Sequence, residues 1–191
     1  MAKERKTQII RAAAKRFARH GLGKTTLSEI ARDVRIGKAT IYHYFESKEQ
    51  LFFEALAFEV SQYIIDIKAI FNNEEAAIGA RLLEYFSYKE NVDQKYRLLF
   101  ELMLLLYNDD SFEREKSILT KLLKEEEEIV KLILSSVYSG RIESMNTSLP
   151  GYVVVSSWGL LFGMKLKRIT DPGKVLSVRE ILFRNLENLL S

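Results

Sequence analysis

The chain of 191 residues has no cysteine, two prolines, nine glycines and two histidines. The absence of cysteine excludes disulfides, zinc-thiolate sites and a cysteine nucleophile. So little proline and glycine disfavours an all-β sandwich, because its many turns usually need both residues. With only two histidines, a zinc enzyme or a serine–histidine triad is disfavoured, because both kinds of site depend on histidine. The remaining composition, 47% hydrophobic and 29% charged, is typical of a globular protein rich in helix formers.

Neither a secretory signal nor a membrane-spanning segment is predicted. No apolar stretch of the kind that a signal peptide needs follows the basic N-terminus. The apolar run from Leu149 to Met164 is too short to span a membrane, and Pro150 and three glycines interrupt it. We therefore expect a cytoplasmic protein without membrane contact, in which this run is a buried or interfacial helix.

Charge is distributed unevenly along the chain. Residues 1–48 carry 12 Lys and Arg against 4 Asp and Glu, a net charge of +8, and the remaining residues carry 17 against 22, a net charge of −5. A basic N-terminal segment favours an anionic partner, with nucleic acid and a membrane surface as the leading classes. A solvated basic surface without a partner is the simpler alternative.

Helical periodicity runs along the chain. Apolar residues at spacings of three and four predict about nine helices and no strand pair, so the predicted fold class is all-α. Two capping boxes, Thr26 with Glu29 and Ser47 with Gln50, mark the starts of a short helix and of a long one that continues to about Phe71. Later helices are predicted at residues 74–91, 94–107, 111–140, 149–169 and 177–190.

Two short helices in the basic segment form the pattern of a helix-turn-helix at about residues 26–45. The first helix of the chain ends at His20-Gly21, the second runs from Thr26 to about Val34, and the third follows a break at Arg35-Ile36-Gly37. In a helix-turn-helix, the second helix of the pair lies in the major groove of DNA and the first crosses the backbone. Double-stranded DNA is therefore the favoured anionic partner.

The segment from Ile36 to Leu51, including Tyr-His-Tyr-Phe-x-Ser-Lys-Glu at positions 42–49, resembles the signature of TetR-type transcriptional regulators. The upstream pattern Phe17-x3-Gly21-x3-Thr25-Thr26-x3-Ile30-Ala31 is similar to theirs as well. The resemblance covers about residues 5–56. Beyond them, the chain matches the family only in length, all-helical content and order of elements.

The resemblance implies a helix-turn-helix head at residues 3–63 and a C-terminal helical domain at 64–191 that binds an effector and dimerises. The sequence departs from the family at two positions of the turn. Arg35 stands where glycine is usual, so a left-handed backbone there would cost some strain. Gly37 stands where serine or threonine is usual, so no side chain at that position contacts a phosphate.

The positions of the helices, together with the resemblance, predict the DNA-binding residues. Hydroxyl groups near the start of the second helix and neighbouring lysines are expected to contact phosphates; these residues are Lys24, Thr25, Thr26, Ser28 and Lys48. Base readout is expected from the third helix, chiefly from Lys38, Ala39, Thr40, Tyr42 and His43. Arg35 is expected to be a further phosphate contact, and Gly37 completes the predicted interface. For Tyr42 and His43 the alternative is simple packing or solvent exposure.

Residues 49–191 contain 17 of the 21 aromatic residues. Core packing is the default for each of them, but the family resemblance implies a pocket for a lipophilic or aromatic small molecule. The expected pocket residues are Tyr63, Phe86, Tyr96, Phe100, Met103, Tyr107, Trp158 and Phe162.

In the family, the last two helices pair with their mates in a homodimer, and a nearly uncharged helix near the chain end fits that arrangement. The alternative is an internal core helix. The expected interface residues are Val155, Gly159, Phe162, Gly163, Leu182, Leu186 and Leu189.

The predicted function is that of a repressor released from a palindromic operator by its effector, with no enzymatic activity, metal or cofactor. The run Glu125–Glu128 is interpreted as a solvated face paired with nearby lysines, because consecutive helical residues fan out around the axis. Two alternatives remain. One is an effector-independent DNA-binding dimer acting in chromosome organisation or through protein partners, and the other is a helical enzyme with a basic face.

Overall fold

The computed structural model describes residues 2–108, 113–137 and 149–166, together with Glu180 and Arg184. Within these ranges the chain forms nine α-helices and no strand, which confirms the predicted all-α class. None of the described helices combines the length and apolar character needed to cross a membrane. The helices are α1 (Ala2–Lys24), α2 (Leu27–Asp33), α3 (Lys38–Tyr42), α4 (Lys48–Phe71), α5 (Ile78–Lys89), α6 (Val92–Lys95), α7 (Arg97–Asn108), α8 (Glu113–Val137) and α9 (Leu149–Leu166).

Several predicted helices differ in extent from those observed. The helix expected from residue 74 begins at Ile78, and the Arg81 guanidinium donates to the carbonyls of Phe71 and Ala76 in the turn between α4 and α5. The helix expected at 94–107 is divided into α6 and α7. The predicted helix at 177–190 lies outside the described residues, apart from helical Glu180 and Arg184.

A carboxylate on α4 marks the start of α7. The amide of Leu99 donates to Glu59 Oε2 at 2.9 Å. An amide in the first turn of a helix has no partner within that helix, so this side chain satisfies it in place of water. Burial of the Glu59 carboxyl raises its pKa from 4.5 to about 7, against the lowering effect of its backbone hydrogen bonds.

The chain forms two compact units. One comprises Met1–Tyr63 with Asp93–Lys116, and the other comprises Ile64–Val92 with Ser117–Ser191. One break between the units falls after Tyr63, and the segment from Asp93 to Lys116 clusters with the N-terminal residues because α7 packs on α1. The functional domains at 3–63 and 64–191 stay a prediction.

The core of the first unit fixes the orientation of its short helices. Phe17 of α1 packs edge-to-face against Phe52 of α4, with ring centroids 5.2 Å apart. Complete burial of such side chains is worth about 1.5–3 kcal/mol each, so a two-turn helix is held by its apolar face instead of by its own hydrogen bonds. Buried apolar residues of this core include Ile9, Ile10, Ala13, Ala14, Leu27, Ile30, Ala31, Ile41, Phe45, Leu51, Ala55 and Leu56.

The second unit contains a buried polar cluster. Glu126 is 0% exposed. It accepts hydrogen bonds from Tyr85 Oη at 2.6 Å and from Trp158 Nε1 at 3.0 Å. The Lys89 ammonium lies 2.5 Å from Glu126 Oε1 and 3.9 Å from the centroid of the Trp158 ring. The two charges thus compensate each other inside a core of aromatic and aliphatic side chains.

The interpretation of Glu125–Glu128 as a solvated face is therefore wrong for Glu126. Leu122, Glu126 and Val130 recur every four residues, so Glu126 lies on the buried apolar stripe of α8. At the surface, Glu125 pairs with Lys68 at 2.8 Å. Within the described ranges, no cluster of His, Cys, Asp or Glu side chains is arranged to hold a metal ion.

Candidate nucleic-acid interface

A capping box begins α2, as predicted. The Thr26 hydroxyl accepts a hydrogen bond from the amide of Glu29 at 3.3 Å, and the Glu29 carboxylate accepts one from the amide of Thr26 at 3.0 Å. These bonds with Thr26 lower the pKa of Glu29. Thr26 and Ser28 are exposed at the positive end of the helix dipole. The Thr26 hydroxyl already donates to Glu29 Oε2 at 2.8 Å, so its predicted phosphate contact would compete with the capping box.

Arg16 of α1 fixes the position of α2. Its guanidinium donates to the carboxylate of Asp33 at 2.9 Å and lies 3.4 Å from Glu29. The hydrogen bond from Arg16 lowers the pKa of Asp33. A guanidinium that pairs with two carboxylates of one helix fixes the orientation of that helix as well as its position.

The turn between α2 and α3 adopts the left-handed backbone that the family resemblance implies. Arg35 has φ 55° and is the one described residue other than glycine with positive φ. For an ordinary residue this conformation costs about 1–2 kcal/mol. The amide of Ile36 closes the turn by donating to the carbonyl of Ala31 at 3.0 Å. Gly37 then begins α3 in an extended conformation without a side-chain cap.

One side of α3 is buried and the other faces solvent. Ile41 is completely buried and anchors the helix in the core. Tyr42 is 51% exposed, and the Lys38 ammonium lies 5.8 Å from the centroid of its ring. Ala39 and His43 are also exposed, and Thr40 is half-buried. The residues predicted to read bases thus share the accessible side of one short helix.

The predicted phosphate contact from Thr25 needs correction. Its side chain is 1% exposed, and the hydroxyl donates to the carbonyl of Gly21 at 2.8 Å. Gly21, at φ 73°, kinks α1 here, and the Thr25 hydroxyl satisfies the carbonyl at the kink. Thr25 therefore stabilises the end of α1 and presents no free hydroxyl to DNA.

Lys48 has a structural contact that sequence reasoning missed. Its ammonium donates to the carbonyl of Leu22 at 2.8 Å and thereby ties the start of α4 to the end of α1. Two ammonium protons remain for other acceptors, so the predicted phosphate contact stays a prediction. Lys24, at the last turn of α1, is exposed.

The start of α1 adds residues to this surface. Arg5, Gln8, Thr40 and Tyr44 line a groove of about 570 Å³ beside α3. Arg5 donates to Gln8 Oε1 at 2.9 Å. Their spacing of three residues places both on one side of α1, but only the tertiary packing of α1 against α3 shows which side that is.

The expected effector-pocket residues of the first unit are mostly packed. Tyr63 and Tyr96 are buried edge-to-face, with ring centroids 6.1 Å apart. Phe100 is buried as well, and Met103 is half-buried. The side chain of Tyr107 lies outside the described residues. Tyr96 lines a cavity of about 510 Å³ together with residues of α1 and α4.

In the second unit, Phe86 and Trp158 are buried and Phe162 is half-buried. The rings of Trp158 and Phe162 contact each other, with centroids 5.8 Å apart. Ring-on-ring packing explains why these large side chains fill the core, and their role in binding an effector stays a prediction.

An apolar cavity of about 410 Å³ in the first unit was not predicted. Aliphatic and aromatic side chains form most of its wall, and the carboxylates of Glu101 and Glu115 also line it. In the sequence these residues are indistinguishable from ordinary core positions, because they come from four separate helices. The apolar wall is formed by Phe17, Leu22, Phe52, Leu98, Leu102 and Leu105.

The residues expected at a dimer interface are partly exposed. Val155 is 66% exposed and Gly159 is exposed, while Phe162 and Gly163 are half-buried. Tyr152, which the sequence analysis did not single out, is exposed on the same side of α9 as Val155 and Gly159. The other expected interface residues, Leu182, Leu186 and Leu189, lie outside the described residues.

Comparison with known proteins identifies relatives of this head. Residues 9–55 match the family described as bacterial regulatory proteins, tetR family. An uncharacterized HTH-type transcriptional regulator of Bacillus subtilis, YhgD, is 28% identical over 80% of this chain and 67% of its own length. A probable acrEF/envCD operon repressor of Escherichia coli is 45% identical, but over only 25% of this chain and 21% of its own length.

The fold extends the similarity beyond the head. FadR from Bacillus subtilis, solved in complex with stearoyl-CoA, superposes with a TM-score of 0.66 at 20% identity, over 97% of each chain. At that identity the likeness concerns the fold. The helix-turn-helix and the order of the helices thus agree with those of known regulators.

Proposed function

The chain belongs to the TetR family of bacterial regulatory proteins, and on that basis we propose that it is a homodimeric repressor of a palindromic operator, released by a lipophilic small molecule. Two copies of α3 would enter successive major grooves, with the starts of α2 and α4 on the phosphates. Effector binding would weaken DNA binding, and by linkage DNA would weaken effector binding by the same factor.

The exposed side of α3 carries the proposal most strongly. Tyr42 and Lys38 are accessible next to each other, while Ile41 holds the same helix against the core. Lysine is suited to guanine acceptors, and an aromatic ring to the apolar edge of thymine. The surrounding segment has a net charge of +8 over residues 1–48, which favours association with a polyanion.

Two observations support a lipophilic effector. A protein of the same fold was solved with stearoyl-CoA. The apolar cavity of about 410 Å³ in the first unit has a volume within the ~300–1,000 Å³ common for small-molecule sites. Phe17 and Phe52 line this cavity and also belong to the core that supports α1 and α4. A ligand in the cavity would therefore contact the core that positions the DNA-binding helices.

The exposed side of α9 supports a homodimer. Tyr152, Val155 and Gly159 recur at intervals of three and four residues, so they form one stripe along the helix. No atom lies within 4 Å of a Cβ built at Gly159, which leaves room for a close approach by a second helix. Solvent-exposed apolar stripes of this kind are typical of interfaces.

The test of release uses DNA selected by the protein from a pool of random duplexes. Fluorescence anisotropy of that duplex, titrated with stearoyl-CoA, should fall as the protein dissociates, and free stearate and coenzyme A provide the separate halves of the ligand. Saturable release by stearoyl-CoA would support a lipophilic effector. Tight DNA binding that no acyl chain alters would instead favour the effector-independent dimer.

A further inference from the structure

A second concave surface of the first unit is strongly basic. We call it the basic cleft. Its volume is about 510 Å³, again within the range of small-molecule sites. Residues of α1, α4, α6 and α7 line it, and five of them are cationic: Arg11, Lys15, Arg19, Lys95 and Arg97.

The contribution of α1 is a row of like charges. Arg11, Lys15 and Arg19 recur every four residues and therefore lie above one another on the same side of the helix. Like charges at this spacing destabilise a helix. Among the residues that the structure describes, neither Lys15 nor Arg19 forms an ion pair that would relieve the repulsion. An external anion would relieve it.

The opposite wall adds cations around the start of α7. Lys95 and Arg97 flank Tyr96, where this helix begins. Glu59 is the one carboxylate that lines the cleft. It already accepts the amide of Leu99, and its raised pKa leaves part of the population uncharged near neutral pH. Arg97 also pairs with Glu101 at 3.7 Å, and the lining still has a positive excess over its one carboxylate.

Flat and amide-bearing side chains complete the wall. Phe58 contributes a half-buried aromatic ring, and the Arg11 guanidinium lies 5.6 Å from the centroid of that ring. Tyr96 also lines the cleft, but only 6% of it is exposed. Gln62 and Gln94 offer both donors and acceptors. Cations suit phosphate groups, aromatic rings stack on a base, and amides match its polar edge.

We propose that the basic cleft binds a small polyphosphorylated molecule that carries a flat ring, the chemistry of a nucleoside diphosphate. This inference goes beyond the proposed function, because the predicted DNA contacts of α2 and α3 do not line the cleft. It also concerns a different surface from the apolar cavity. Binding here therefore requires neither operator DNA nor an acyl chain.

Isothermal titration calorimetry of the full chain with ADP tests the proposal directly. Saturable binding that weakens with added salt is expected. The double variant K15Q/R19Q, which removes two cations from the cleft, should weaken binding by about tenfold or more, since charge-assisted hydrogen bonds are the strong ones. Adenosine and pyrophosphate, as separate ligands, should each bind more weakly than ADP.

The control removes the same charge elsewhere. Lys121 and Lys124 are exposed on α8, and the double variant K121Q/K124Q should bind ADP as the unaltered protein does. Equal loss in both double variants, or no saturable heat with ADP, would overturn the proposal. Pyrophosphate binding as tightly as ADP would overturn the role of the flat ring. Circular dichroism and DNA-binding titrations of K15Q/R19Q show whether weaker ADP binding comes from the removed charges or from a loss of folded structure.

Discussion

At the scale of single residues, Tyr42 is the most direct probe of DNA recognition. It is half-exposed on α3 and has little to contribute to the core, so its truncation should affect binding and spare folding. Y42A should weaken binding to the selected operator by about 1–3 kcal/mol, the usual range for one base contact. Anisotropy titrations measure this loss, and Y42F shows how much of it belongs to the hydroxyl. An unchanged affinity for Y42A would contradict the assignment of α3.

The burial of Glu59 predicts how the stability of the folded chain depends on pH. Its pKa in the folded state is about 7 against 4.5 for the ordinary group, so the folded chain retains a proton that the unfolded chain releases. The stabilising contribution is complete below 4.5 and is lost as the pH rises through about 7, a change of up to about 3 kcal/mol.

The variant E59Q removes this titration and keeps an acceptor for the Leu99 amide. Urea unfolding of both proteins between about pH 5 and pH 8 should show that the stability of E59Q relative to the unaltered protein increases with pH. Because the comparison is between two chains with the same remaining groups, other titrations cancel. Parallel stability curves would show that the carboxyl at position 59 is charged throughout.

Some contacts of single residues could be predicted from the sequence, and others could not. The cap at Thr26 follows from local rules, the left-handed backbone at Arg35 follows from the family resemblance, and both are present. Thr25 was misassigned because its burial depends on the kink at Gly21. Glu126 was misassigned although the apolar stripe of α8 includes it, since its partner Lys89 is remote in sequence. Local chemistry is thus readable from sequence, whereas partners across helices require the fold.

At the scale of elements, the turn between α2 and α3 carries strain that a substitution can remove. Arg35 has φ 55°, and glycine adopts this conformation without steric cost. R35G should therefore raise the free energy of unfolding by up to about 1 kcal/mol, and R35A, which retains Cβ, should not. Thermal unfolding of the three proteins measures the difference. Equal stabilities of R35G and R35A would mean that the backbone at position 35 is unstrained.

The same pair of variants tests the predicted phosphate contact of Arg35. Both remove the guanidinium, so both should weaken DNA binding to the same extent and lower its salt dependence by about one unit of slope. A loss of DNA affinity in R35A alone would point to the turn geometry instead of the charge.

At the scale of the whole molecule, the proposed dimer depends on the exposed side of α9. A carboxylate in the middle of an apolar interface carries a large desolvation cost. V155E should therefore shift sedimentation from dimer to monomer and weaken operator binding together. Leu132, 70% exposed on α8, offers a matched control, and L132E should remain dimeric. Dissociation by both substitutions, or by neither, would contradict an interface centred on α9.

Selection from random duplex DNA is the decisive experiment for the proposal that this chain reads a specific palindromic sequence through two copies of α3. We expect enrichment of one inverted repeat, with half-sites about one helical turn apart. The Y42A protein, selected in parallel, should not enrich that repeat. Enrichment of no sequence at physiological salt, or of the same repeat by Y42A, would contradict the proposal.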